Sequence, residues 1–398
     1  MNRARTRLES CTLHRLGAMR SSPMLPAVAL VPGFFGFDHH ESRTYFADRF
    51  VAGLRASLEA RGRTSVPVVA VSTLGIASMW RRQHELLREL RALESPDENG
   101  ERLGRRRWHL VGHSTGGVDA ALLLRNAPLV RSKEGSVFGA SSWGEWQELV
   151  ARIDSVTSIS APHFGTGLAE SPLAQFSAGR PSLGAVRDAA MALFDLARRG
   201  DLESRIAFAF SAMPRLTQTP IFLGQMALRN ELARELRPRF MSALSSAPIR
   251  EGMESRLFSV ATVAPRPGRD HSDKLFRDLW SWGHKGAMRA PPSSAPGLDR
   301  VEDPSLRLPS QRETFLPPID EGDNDGIVTT RRQVFGELNA VVLGDHVDVL
   351  GRYRRASLVD GKVIDPGLLT SGARFGDDEF FALLDRVAAR IAAVMANA

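Results

Sequence analysis

The sequence is poor in several residue types, and each shortage narrows the classes of protein that it can encode. Its one cysteine, Cys11, excludes an intramolecular disulfide and favours a reducing compartment. Only four of the 52 basic residues are lysines, and the arginines are spread among the acidic residues without an aromatic-interleaved stripe. The sequence therefore gives little support for nucleic-acid binding, despite a formal net charge of +7.

Long apolar runs are also lacking. No stretch of 18 or more apolar residues occurs, so we expect no membrane-spanning helix. Residues 1–23 are rich in arginine and lack the apolar core of a secretory signal. We therefore expect a disordered N-terminal tail and a cytoplasmic protein; a targeting segment and secretion are the alternative interpretations.

Apolar runs and amphipathic patterns alternate along most of residues 24–398. The runs that predict buried strands are Val28–Val31, Ser65–Thr73, Arg107–Gly112, Arg152–Ser160, Arg256–Val263 and Leu338–Gly344. The patterns that predict helices include Tyr45–Ala60, Trp80–Glu94, Val118–Asn126 and Asp378–Met395. Such alternation predicts an α/β fold, a mainly parallel sheet with helices on both faces.

Two segments interrupt this alternation. Residues 168–250 hold about three helical patterns and no convincing strand, which predicts a helical cap inserted after a sheet strand. Extra core helices of the main domain are the alternative interpretation. Residues 266–318 are rich in Pro, Ser, Asp and Arg and predict a long loop excursion.

The stretch GHSTG at 112–116 fits the pattern G-x-S-x-G, with a predicted strand before it and a predicted helix after it. Small residues on each side let a serine adopt a strained conformation at a sharp turn. A Walker loop fits worse, because Val118 follows Gly117 where a lysine is required. A dinucleotide loop fits worse too, because Ser114 occupies the position of its middle glycine. The pattern therefore predicts Ser114 as a nucleophile.

A nucleophilic serine needs a histidine base and an acid that orients it, here in the chain order Ser, acid, His. Four histidines follow Ser114: His163, His271, His284 and His346. Only His346 follows a strong predicted strand, so we expect it to be the base, whereas His113 lies in the turn and is expected to point elsewhere. The acid stays open among three residues of one carboxylate-rich loop: Asp320, Asp323 and Asp325.

The oxyanion of an acyl-transfer intermediate needs two backbone N–H donors. Thr115, the residue after the nucleophile, supplies one, and the loop VPGFFGF after the first strand supplies the other, with Phe34 the best candidate. Phe35 and Phe37 are expected to add an apolar wall for an acyl chain; ordinary core packing is the alternative.

Five stretches together resemble the bacterial triacylglycerol lipases of the α/β-hydrolase superfamily. In chain order they are LVPGFFGF, HLVGHSTGG, SISAPHFGTG, DNDGIV and GDHVDVLG, within roughly residues 27–350. The resemblance implies an α/β-hydrolase fold and a triad of Ser114, Asp325 and His346. It also implies Phe34 and Thr115 as the oxyanion donors.

The sequence departs from the family at Pro32, where many of those lipases have histidine. The resemblance implies no required cofactor, but a structural calcium ion near the base would involve Asp348, with Asp303 as a candidate second ligand. Calcium takes six to eight oxygen ligands, and these residues supply only part of that set.

The function expected from these residues and from the resemblance is serine-dependent hydrolysis of carboxylic esters, as in a lipase or esterase acting on lipid-like acyl esters through an acyl-enzyme. Interfacial contact with lipid is expected through the cap. Acyl transfer to another acceptor, or depolymerisation of a polyester, would use the same triad. A non-catalytic lipid- or protein-binding module is the third alternative.

Overall fold

A six-stranded sheet forms the centre of the molecule, and all its strands are parallel. Its strands are β1 Leu25–Val31, β2 Val68–Ala70, β3 Arg106–His113, β4 Ile153–Ile159, β5 Leu257–Val263 and β6 Glu337–Leu343, in the order β2-β1-β3-β4-β5-β6. A two-stranded antiparallel ribbon consists of β7 Arg354–Ala356 and β8 Val363–Pro366. The computed structural model describes residues 24–34, 45–75, 77–95, 103–125, 140–170, 231–246, 248–266, 284–288, 298–313, 318–356, 363–366 and 371–397.

Helices cover both faces of the sheet. Within the described ranges they include α1 Asp48–Glu59, α2 Met79–Glu94, α3 Thr115–Leu122, α4 Ala140–Ala151, α5 Glu231–Glu235, α6 Pro238–Ser245 and α7 Asp377–Ala396. Helices α1 and α7 pack on the face that carries Val28 and Leu30, whereas α2, α3 and α4 pack on the face of Ala27 and Ala29. Successive side chains of a strand point to opposite faces of the sheet, so a strand that is buried on both faces packs alternate residues against different helices.

The carboxyl ends of the parallel strands meet at one edge of the sheet. Val31 of β1 is in register with Gly112 of β3, and His113 of β3 is in register with Ile159 of β4. The residues that follow these strands therefore lie side by side, which is where ligand sites form in open α/β sheets.

The predicted fold class is confirmed by this parallel sheet, and most predicted elements match within a few residues. The predicted strand Ser65–Thr73 is wrong in extent: β2 contains only Val68–Ala70. Among the described strands it lies at the edge of the sheet and pairs only with β1, and Pro67 just before it has no N–H to donate.

Other expectations lie partly or wholly outside the described residues. These are the N-terminal tail 1–23, most of the cap segment and most of the excursion 266–318. The described part of the cap segment comprises a 3-10 turn at Gly167–Glu170 and the helices α5 and α6. Within the part of the chain that the structure describes, no helix is long and apolar enough to cross a membrane.

Candidate active site

The turn between β3 and α3 holds Ser114 in a conformation that side chains rarely adopt, with φ 54° and ψ −131°. The turn closes because the neighbouring positions carry no side chain: a Cβ at Gly116 would overlap the Val31 carbonyl, and one at Gly112 would overlap the backbone of Gly116. Ser114 N–H donates to the Ile159 carbonyl at 2.9 Å. The serine is thus anchored to β4 at the carboxyl edge of the sheet.

Ser114, His346 and Asp325 form one chain of hydrogen bonds. His346 Nε2 lies 2.9 Å from Ser114 Oγ, and His346 Nδ1 lies 2.8 Å from Asp325 Oδ2. His346 backbone N–H also donates to the Asp325 carbonyl at 3.0 Å, so the two residues are joined through both backbone and side chain. All three side chains are buried, which keeps this arrangement largely out of bulk water.

The Asp325 carboxylate is saturated with donors. Its Oδ1 accepts from the backbone N–H groups of Ile327 at 3.0 Å and Val328 at 2.8 Å. Its Oδ2 accepts from Thr262 Oγ1 at 2.7 Å and Gln333 Nε2 at 3.1 Å, besides His346. These bonds hold both carboxylate oxygens in place.

His113 does not point away from the site, as the sequence suggested, but contacts the backbone of His346. Its Nε2 lies 2.7 Å from the His346 carbonyl, which can only accept, so Nε2 must carry the proton. Its Nδ1 then accepts from the Tyr45 hydroxyl at 2.7 Å. Burial, with the neighbouring His346, lowers the pKa of His113 well below its usual value and keeps this imidazole neutral.

The loop after β1 lies directly against the nucleophile. A Cβ at Gly33 would approach Ser114 Cβ to 2.7 Å and the Tyr45 hydroxyl to 2.5 Å, so only glycine permits this approach. The Phe34 side chain packs against an apolar cluster that includes Met79, Val118 and Leu232. Thr115, the other predicted donor, is the first residue of α3. Phe35 and Phe37 lie outside the described residues.

The other candidate acids and bases lie elsewhere. Asp323 Oδ1 accepts from Arg266 Nε at 2.9 Å, and Asp320 bonds to the same guanidinium. His163 stacks on Phe335 with ring centroids 4.7 Å apart. The His284 carbonyl accepts from Asn324 Nδ2 at 3.2 Å, and His271 lies outside the described residues.

The residues expected near a calcium ion do not form a complete ligand set. The Asp348 carboxylate accepts from Asp345 N–H at 2.8 Å, and Asp345 Oδ1 accepts from Asp348 N–H at 3.0 Å. Burial raises the pKa of Asp345 to about 7 and that of Asp348 well above its usual value. Asp303 is half-buried, and its carboxylate instead accepts from Ser305 N–H at 2.9 Å. Among the described residues no group of three or more His, Cys, Asp or Glu side chains could hold a metal ion.

Several residues that shape this site carried no motif in the sequence. Thr262 and Gln333 complete the shell around Asp325, and Tyr45 supports His113. Only Thr262 could have been suspected from its position. It stands one residue before the end of the predicted buried strand Arg256–Val263, and a polar side chain there lies near the carboxyl edge of the sheet, where the site forms. The partners of Tyr45 and Gln333 depend on contacts across the fold.

Comparison with known proteins finds likeness only among solved structures. No family model matches the sequence, and no curated protein matches it. Lipase 1 from Pelosinus fermentans is 15% identical, with a TM-score of 0.48 over 92% of this chain and 98% of that one. EstA from Clostridium botulinum is 15% identical, with a TM-score of 0.46 over 91% and 87%. The Staphylococcus hyicus lipase is 12% identical, with a TM-score of 0.46 over 94% and 96%. At these identities no activity transfers to this chain, and the function proposed below depends on the geometry around Ser114.

Proposed function

We propose that this protein is a serine-dependent carboxylic ester hydrolase of the lipase or esterase type, acting on acyl esters through an acyl-enzyme. The observation that carries the proposal is the continuous chain from Ser114 Oγ through the His346 imidazole to the Asp325 carboxylate, with distances of 2.9 and 2.8 Å. A nucleophile, a base and an orienting acid in this order are the parts that acyl transfer to serine requires.

In the acylation half-reaction, Ser114 Oγ attacks the ester carbonyl carbon and His346 Nε2 takes its proton. Asp325 holds the tautomer that leaves Nε2 free to accept, and it stabilises the imidazolium that forms. The backbone N–H groups of Phe34 and Thr115 are the proposed donors to the tetrahedral oxyanion. When the intermediate collapses, the bond to the leaving oxygen breaks and His346 Nε2 donates its proton to the departing alcohol.

Deacylation repeats these steps with water. His346 Nε2 accepts a proton from water as the water oxygen attacks the acyl carbon. The bond between Ser114 Oγ and the acyl carbon then breaks, His346 Nε2 returns the proton to Ser114 Oγ, and the carboxylic acid is released. The strained Ser114 turn places the hydroxyl at the N-terminus of α3, where the helix dipole favours the negative charge of both tetrahedral states.

The surroundings of the oxyanion loop favour an apolar acyl group. Phe34 borders a cluster of buried apolar side chains from α2, α3, α5 and α6, among them Val118, Leu232 and Met241. Phe240 on α6 is 45% exposed and would suit contact with a lipid interface. We therefore propose lipid-like acyl esters as substrates and the cap side as the surface that meets them.

Labelling with a fluorophosphonate tests the nucleophile directly. We expect stoichiometric modification of the wild-type chain at Ser114 and none in Ser114→Ala. Ser160 is an internal comparison, because it also has a positive φ, of 53°, but hydrogen-bonds to Thr262 rather than to a histidine. Peptide mapping should find the adduct on Ser114 and not on Ser160.

Turnover of a p-nitrophenyl ester series, from short to long acyl chains, then tests the substrate class. We expect Ser114→Ala to lose turnover and the wild type to prefer medium or long chains. Equal fluorophosphonate labelling of the wild type and Ser114→Ala would refute the proposal that the protein is a serine hydrolase. Turnover that requires an added alcohol acceptor would replace hydrolysis with acyl transfer.

A further inference from the structure

A buried arginine joins the loop after β1 to the helix that follows Ser114. Arg82 lies in α2, and its side chain and that of Asp119 on α3 are both fully buried. Arg82 Nε donates to Asp119 Oδ2 at 2.8 Å. The terminal nitrogen Nη2 lies 2.7 Å from the same carboxylate oxygen and donates to the carbonyls of Pro32 at 3.1 Å and Gly33 at 3.3 Å. One guanidinium thus contacts both segments that the oxyanion chemistry would use.

The directions of these two carbonyl groups also fix the directions of the N–H groups in the same peptides. In a trans peptide the carbonyl and the N–H point in opposite directions, and the described residues contain no cis peptide bond. Since the Gly33 carbonyl faces Arg82, the N–H of Phe34 in the same peptide must face away from it. The preceding peptide has the same orientation. Its carbonyl, that of Pro32, faces Arg82, and its N–H, that of Gly33, donates to the Tyr45 hydroxyl oxygen.

Asp119 supplies the second half of the link. It lies on α3, the helix whose first residue is Thr115, so the ion pair connects the Phe34 peptide to the helix that presents the Thr115 N–H. Burial raises the pKa of the Asp119 carboxyl to about 6, against the effect of Arg82, so this carboxylate is costly to bury. A buried ion pair is weak as a source of stability and is often replaceable by apolar side chains. Its placement here suits a role in orientation.

We propose that Arg82 and Asp119 are positioning residues that set the direction of the Phe34 N–H and its separation from the Thr115 N–H. The pair thereby preorganises the oxyanion hole. This inference rests on the proposed ester hydrolase activity. Lysine cannot replace Arg82 in this role, because its single ammonium group cannot bond Asp119 and two carbonyls in a planar fork.

The central variant is Arg82→Lys, which keeps the positive charge beside Asp119 and removes the fork. Loss of one oxyanion donor costs about 10²–10³ in kcat, and we expect a misdirected donor to cost about 10- to 100-fold, with KM changed by less than about threefold. Affinity for a trifluoromethyl ketone, which forms a tetrahedral adduct with serine, should fall in parallel with kcat.

Arg152→Lys is the matched control. Arg152 is also a largely buried arginine that bonds a carboxylate, Glu94 at 2.8 Å, and a backbone carbonyl, that of Arg106 at 2.7 Å. It lies at the amino ends of β3 and β4, on the edge of the sheet opposite Ser114. We expect this variant to lose stability but to keep wild-type kcat per active site, counted by end-point fluorophosphonate labelling.

A double variant, Arg82→Met with Asp119→Leu, guards against a failure to fold, because it removes both buried charges together. If it folds, the proposal expects the same fall in kcat and in ketone affinity as Arg82→Lys. Wild-type kcat per labelled site in either folded variant would overturn the positioning role. Absence of labelling in the wild type would instead remove the proposed function, so the two failures are distinguishable.

Discussion

Replacing Asp325 with asparagine probes the site most sharply, because the amide has nearly the same shape but cannot satisfy the same donors. Two backbone N–H groups converge on Oδ1, from Ile327 and Val328, and three side-chain donors converge on Oδ2. An amide offers one oxygen and one NH2 group. In either orientation of the asparagine side chain, its NH2 group therefore replaces an oxygen that accepted at least two hydrogen bonds, and those donors lose their acceptor.

The magnitude follows from this count. Each buried donor left unsatisfied costs about 1–3 kcal/mol, so we expect Asp325→Asn to lose about 2–6 kcal/mol of unfolding free energy. If the NH2 faces His346, Nδ1 can no longer donate to it and the imidazole adopts the wrong tautomer. Such a change lowers kcat by about 10⁴ in a comparable triad, or about 5 kcal/mol at 1.36 kcal/mol per tenfold.

The assay combines urea unfolding with steady-state hydrolysis of a p-nitrophenyl ester by folded protein. Asp323→Asn is the matched control from the same loop, because its carboxylate bonds Arg266 and not His346. We expect the control to keep kcat within about threefold, a change worth less than 1 kcal/mol of barrier. An Asp325→Asn protein with kcat within tenfold of wild type would show that Asp325 is not the acid that orients the base.

Two further predictions concern two buried histidines, His113 beside the triad and His163 stacked on Phe335. Tyr45→Phe removes the hydroxyl that donates to His113 Nδ1. Because an unsatisfied buried acceptor costs about 1–3 kcal/mol, we expect lower stability, and about tenfold lower kcat because His113 then supports the His346 backbone less well. Unchanged kinetics and an unchanged melting temperature would contradict that support. Burial lowers the pKa of His163 to about 3, so below its usual pKa of about 6.5 the unfolded chain binds a proton that the folded chain does not, and the free energy of unfolding falls as pH falls. His163→Phe keeps a ring stacked on Phe335 and should reduce the loss of stability between about pH 7.5 and pH 5 by about 2 kcal/mol. An unchanged pH dependence of urea unfolding in this variant would refute the assignment.

The sheet and the serine turn could be predicted because their causes are local. Alternation of apolar runs with amphipathic patterns is visible in short windows, and the glycines around Ser114 follow from the space that the turn allows. The location of His346 next to Ser114 could be expected from its place after a strong predicted strand. The same reasoning fails at β2, where a run of valines belongs to a short edge strand.

The choice among acids and the supporting residues could not be predicted from the residues alone. Asp320, Asp323 and Asp325 share one loop, and only the fold turns Asp325 toward His346 while Arg266 engages the other two. His113 was misjudged because its partner is 233 residues away. Arg82 and Asp119 look like ordinary helix residues until packing buries both of them.

The position of β6 at the edge of the sheet has a consequence for how activity is acquired during folding. His346 follows β6, the last strand of the six, and meets Ser114 across 232 residues of chain. Contacts of such long sequence separation form late, after the entropy of closing the chain between them has been lost. Partly folded intermediates with β1 to β4 in place would hold the serine turn without its base. The onset of the proposed ester hydrolysis in a refolding experiment would therefore report the docking of the final strand rather than the collapse of the core.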